Sequence, residues 1–135
     1  MAIAQARGRM AFGVAFLLAP GAAAKGWVGE DAKRPAAKVL TRALGARDLA
    51  IGLGVVIAMD RGAPVRGWLE ASALSDGVDF VATLLGGRSL PTAGRLGVLA
   101  LAAGSAGLAS KLARTVDEEG YEPVDAPEAT LTGHP

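Results

Sequence analysis

Apolar residues fall in four blocks along this chain, separated by short polar or glycine-rich breaks. The first block, Met10–Ala24, follows Arg7 and Arg9 and contains Pro20. Gly29–Lys38 breaks it with Glu30, Asp31, Lys33, Arg34 and Lys38. A second helix is predicted over Pro35–Met59, with proline at its first position and the apolar run Leu49–Met59 at its end. At 1.5 Å per residue it is roughly 37 Å long, enough to cross a bilayer. Asp60–Pro64 forms the next turn, with Gly62 as a left-handed cap. A third helix follows over Arg66–Leu85 and stops at Gly86–Gly87. Ser89 is the expected N-cap of a fourth, Pro91–Arg114, which carries the cleanest apolar run, Leu96–Ala109. Two small-residue rows, Ala102/Ala106/Ser110 and Ala103/Gly107, would let a neighbouring helix approach closely.

The first block admits two readings. Arg7 and Arg9, a short apolar core and Ala22–Ala24 fit a signal peptide. The same residues fit a first membrane span, Arg9–Val28, kinked at Pro20 and anchored by Trp27 at the interface. The span is preferred, because the apolar helices that follow need a partner. The pattern thus predicts an all-α integral membrane bundle of four transmembrane helices over residues 1–114. Residues 115–135 differ: they carry six acidic residues, three prolines and no Lys or Arg, and read as a disordered acidic tail. Counting basic residues on each side of the spans puts both termini in the cytoplasm of a multi-pass cell-membrane protein, by a margin of one charge.

Charge changes this picture most in the stretch Arg42–Phe80. Read as a hairpin of the second and third helices, it holds Arg42, Arg47, Asp48, Glu70, Asp76 and Asp79 among apolar residues. Ionisable groups at membrane depth are costly, so they must pair, face a cavity or do work. With the turn centred on Ala63, Arg47 and Asp79 each lie sixteen positions away, at one depth. Arg47 is therefore expected to pair with Asp79 and to reach Asp76 one turn along. Arg95 falls about one turn from Asp79, and Arg42 lies level with Leu84. Ser72, Asp76, Asp79 and Thr83 share one helical face, as do Gly45, Asp48 and Gly52. The expected polar network is Arg42, Arg47, Asp48, Asp76, Asp79 and Arg95. It is either a sealed salt-bridge cluster that fixes helix register or the wall of a polar cavity.

Composition narrows the chemistry. Half of the 135 residues are apolar and 4% aromatic, so Ala, Gly, Leu and Val do the packing. A net charge of +1 offers no field for nucleic acid. There is no cysteine, and the one histidine is His134, which excludes thiolate chemistry and a haem held by histidines within the helices. Asp76-x-x-Asp79 resembles part of the carboxylate metal motif of membrane lipid-transferring enzymes. Val78-Asp79 stands where that motif needs Ala-Arg, and its later aspartate pair is missing, so neither metal nor catalytic residue is assigned. No nucleophile elbow, phosphate loop or zinc-protease signature occurs. Met10–Ala24 also lacks the carboxylate that small multidrug exporters carry in their first span.

Arg42-x-x-Gly45-x-Arg47-Asp48 with Gly52, and then Asp76-x-x-Asp79, resemble a family of small bacterial four-helix integral membrane proteins of unknown function. The resemblance covers Arg9–Ala113 and implies a fold without an assigned activity. A looser likeness is to the four-helix subunits of quinone-linked membrane oxidoreductases. Three roles follow: a non-enzymatic accessory, assembly or lipid-contacting component; an oligomeric transporter or channel-like protein using Asp76 and Asp79; or a membrane subunit of a redox complex. No cofactor of its own is assigned. Expected partners are membrane lipid, further copies of the chain or a larger membrane complex.

Overall fold

A computed structural model describes residues 1–118. It is helical throughout, with α1 (Ala2–Leu18), α2 (Pro20–Val28), α3 (Pro35–Asp60), α4 (Arg66–Gly86) and α5 (Thr92–Glu118), and short 3-10 turns at Gly29–Lys33 and Gly87–Ser89. Thr115–Glu118, assigned to the tail by composition, continue α5. The rest of that tail lies outside the described residues.

Local chemistry sets the helix ends. Pro20 has no N–H and disfavours a helical conformation at the residue before it. Ala19 accordingly leaves the helix, at φ −130° and ψ 55°. The chain then turns through 108° between Ala2–Leu18 and Pro20–Lys33. This corrects the expected single span over Arg9–Val28. The helix begins at Ala2, so Arg9 sits two turns inside α1, and Trp27 lies on a separate short helix. At the end of α3, Gly62 adopts φ 62°. Its N–H donates to the Met59 carbonyl, and the Ala63 N–H donates to the Ala58 carbonyl at 2.8 Å, which is the paired closure of a glycine-capped helix. Ser89 is not the expected N-cap, because α5 starts only at Thr92. Its hydroxyl instead donates to the Gly86 carbonyl at 2.8 Å and closes α4.

Packing follows the small residues. The main helix contacts are α1 against α3 and α4 against α5, whereas α3 and α4, though joined by a tight turn, touch sparingly. The hairpin expected from sequence is present as a turn and the Arg47–Asp79 pairing, but its two helices are not the most closely packed pair. Gly45 and Gly52 turn the small face of α3 toward α1. A Cβ on Gly45 would lie 2.7 Å from the Gly13 carbonyl oxygen, and one on Gly52 would lie 2.8 Å from that of Ala6. Without side chains there, the two backbones meet directly. Between α3 and α4 the Trp68 indole is laid over Gly54. Where α2 meets α5, a Gly94 Cβ would fall on the Gly26 carbonyl. Of the two rows expected on α5, Ala102 is buried with Ala106 and Ser110 half-buried, while Ala103 and Gly107 are exposed.

Many large apolar side chains face outward, while the small core around Ala6, Val55 and Leu69 is joined by polar groups. Leu74 is 71% and Leu85 83% exposed, and Phe12, Leu40, Val78, Leu84, Leu96 and Leu101 also face outward. Arg9, Thr41, Ser72, Ser75, Asp76 and Thr83 are buried. One helix, Thr92–Val116, is long and apolar enough to cross a membrane, and the bent pair of α1 and α2 meets the same standard if counted as one span. The expected α3 and α4 spans do not meet that standard, and each carries three charges in its apolar stretch: Arg42, Arg47 and Asp48 on α3, and Glu70, Asp76 and Asp79 on α4.

Candidate functional site

Five charged side chains from three helices form an alternating row. The Arg47 guanidinium meets the Asp79 carboxylate in two parallel hydrogen bonds, Nη1 to Oδ1 at 2.9 Å and Nη2 to Oδ2 at 2.6 Å. Its Nη2 also donates to Asp48 Oδ1 at 3.1 Å. Arg9 donates from Nη1 to that same Asp48 oxygen at 2.7 Å and from Nη2 to Asp76 Oδ1. The row therefore runs Asp76–Arg9–Asp48–Arg47–Asp79, starting and ending on α4. Helical spacing puts Asp76 and Asp79 on one face with the buried Ser72 and Thr83. The glycine contact of α1 on α3 brings Arg9 over Asp48.

Four of the six residues expected in the network, Arg47, Asp48, Asp76 and Asp79, come together. Two do not. The Nε of Arg42 donates to the Leu17 carbonyl at 3.3 Å on the exposed side. Nη1 of Arg95 donates to the Gly87 carbonyl at 3.0 Å, near the end of α4. Depth counting places a residue along a helix axis but not around it, and both arginines reach backbone carbonyls closer to hand. Asp76 is also corrected: it pairs with Arg9 rather than Arg47. Glu70 lies apart, bound to Arg66 at 2.6 Å on the exposed first turn of α4.

Arg9 was missed as a member of this group. Its signal is in the sequence, however. Gln5, Arg9, Phe12 and Phe16 are spaced four, three and four, the same spacing as Ser72, Asp76, Asp79 and Thr83.

A cavity of about 490 Å³ opens along that face of α1, bounded by α1, Trp27 of α2 and α5, with Arg9, Asp48, Asp76 and Asp79 at its charged end. Its size lies within the roughly 300–1,000 Å³ of small-molecule sites. Phe12, Phe16 and Leu101 make it largely apolar. Three buried polar atoms of its lining residues have no hydrogen-bond partner: Asp76 Oδ2, Gln5 Oε1 and Trp27 Nε1. Gln5 is itself held, since its amide nitrogen donates to the carbonyl and hydroxyl oxygens of Ser105 on α5. Burying a polar atom unpaired costs about 1–3 kcal/mol. Two guanidiniums separate the three carboxylates, and among the described residues no acidic cluster is placed to hold a metal ion.

Arg47→Ala and Asp79→Ala should each lower stability in detergent, and the double variant should recover part of the loss, because each single change strands a charge. Thermal unfolding of the four-member cycle measures this, and simple additivity would disprove the coupling.

No family model, curated protein or solved structure matches this chain.

Proposed function

We propose that this chain is a multi-pass membrane protein, with α1, α3, α4 and α5 crossing the bilayer, that binds an amphiphilic molecule in the cavity that opens between α1, α2 and α5. Within the roles expected from sequence, this is the lipid-contacting one. The observation that carries it is the cavity itself: an apolar chamber that ends at Asp76 and Asp79, with Asp76 Oδ2 unpaired.

The exposed apolar side chains support the membrane setting. Exposed leucines and valines on α4 and α5 suit hydrocarbon, and charges collected between helices suit the interior of a bundle. α1 supplies Arg9 and packs backbone to backbone on α3, which favours a retained first span over a removed leader.

Gly104 gives a clean test. It lines the cavity, and a Cβ built there meets nothing within 4 Å. Gly104→Leu should therefore fold as well as the native chain or better, since glycine is the poorer helix former by about 1 kcal/mol. It should also lose bound amphiphile. Native mass spectrometry of protein extracted in lipid nanodiscs should show one retained amphiphile per native chain and markedly less on Gly104→Leu. Equal occupancy of the two proteins would refute the cavity as the binding site.

A further inference from the structure

We propose that the occupant carries a single positive charge on a hydrogen-bonding ammonium group, joined to an apolar body. This rests on the cavity-binding reading above and adds the chemical class of the ligand.

The first argument is charge. The row contains Arg9 and Arg47 against Asp48, Asp76 and Asp79, two cations facing three anions. Arg42 and Arg95 are committed to the Leu17 and Gly87 carbonyls, and Arg7, two residues from Arg9 on α1, is exposed. The row thus carries one uncompensated negative charge away from water, where a net charge is costly and a counter-ion is strongly favoured. A bound monocation completes the alternation.

The second argument is hydrogen bonding. Asp76 is 7% exposed, Arg9 occupies its Oδ1, and its Oδ2 has no partner. Gln5, which lines the same cavity, has a second buried acceptor without a partner, Oε1. Two open acceptors call for a group with N–H donors. A primary or secondary ammonium supplies them, whereas a quaternary ammonium does not. Trp27 Nε1, the one open donor, matches an oxygen acceptor on the same molecule.

The third argument is the wall. Phe12, Phe16 and Trp27 present aromatic surface beside the anionic end, an arrangement that accepts a cation's apolar body and attracts its charge. A membrane lipid with a primary-ammonium headgroup and a free lipophilic amine share this chemistry.

Calorimetric titration of the full chain in phosphatidylcholine nanodiscs tests the class with three probes of equal chain length. Dodecylammonium should bind at least about tenfold more tightly than neutral dodecanol or quaternary dodecyltrimethylammonium. Asp76→Asn should erase that preference. It leaves two cations facing two anions, so it should fold. The comparison of the three probes on the native chain stands even if it does not. Equal binding of all three would overturn the ammonium inference and keep the amphiphile cavity. No binding of any probe would overturn both. Repeating the titration with phosphatidylethanolamine in the disc distinguishes the sources: weakened dodecylammonium binding identifies the lipid headgroup as the competing occupant, and unchanged binding identifies a free amine.

Discussion

Arg9→Met should destabilise the bundle by about 3–5 kcal/mol, the cost of stranding a buried charge by removing its partner. Methionine keeps much of the length and packing of the arginine stem, so the loss reports charge rather than volume. Two carboxylates are affected. Asp76 loses the guanidinium it pairs with, and Asp48 keeps only Arg47. The side chain of Arg9 is 7% exposed against 28% for Arg47, so water can do less for the groups that Arg9 leaves behind. Arg9→Met should therefore cost more than Arg47→Ala, even though Arg47 makes the two-pronged bond. Adding Asp76→Asn to Arg9→Met should restore a large share of the stability. Chemical denaturation in detergent micelles, with helicity as the readout, measures the set. A loss below about 1 kcal/mol for Arg9→Met would place the row in a solvated setting, where ion pairs are weak.

The outcome at Arg9 also shows what the sequence could reveal and what it could not. Helix limits were largely legible: Pro35–Met59 was expected and Pro35–Asp60 is found, and Arg66–Leu85 corresponds to Arg66–Gly86. Proline and glycine act locally, so their effect is readable one residue at a time. The Arg47–Asp79 pair was legible for a related reason: residues equidistant from a short turn must share a depth. Arg9 escaped because an arginine before an apolar run looks like a flanking charge, and only the start of α1 at Ala2 carries it inside. Arg95 erred in the opposite direction, since depth alone says nothing about which way a side chain leaves its helix. The pairing of helices was also hidden. Chain order suggests α3 with α4, but close backbone contact goes to whichever helix offers glycine to glycine, and for α3 that is α1.

That contact yields the other large effect. Gly45→Ala should cost about 1–3 kcal/mol, as overpacking does, despite the helix propensity that alanine brings. Its Cβ would lie 2.7 Å from the Gly13 carbonyl oxygen, 2.8 Å from Phe16 Cβ and 3.1 Å from the Leu17 nitrogen. Two of these three are backbone atoms, which no rotamer change can move aside. Gly13→Ala meets the same obstacle from the other side, with the Gly45 carbonyl oxygen and the Leu49 nitrogen both at 2.7 Å. Each substitution can be relieved only by moving α1 away from α3. The double variant should therefore lose less than the sum of the singles, because one displacement admits both methyls. Gly107→Ala, where nothing lies within 4 Å, provides the control and should be neutral or mildly stabilising. The displacement also reaches the charged row. Arg9 stands on α1 one helical turn from Gly13 and holds Asp48 at 2.7 Å, so separating the helices draws the guanidinium away from its carboxylate. Gly45→Ala should thus weaken ammonium binding in the nanodisc titration as well as lower the unfolding midpoint. A variant that unfolds earlier yet binds dodecylammonium unchanged would show that the glycine contact sets stability alone and leaves the placement of Arg9 to other parts of the fold.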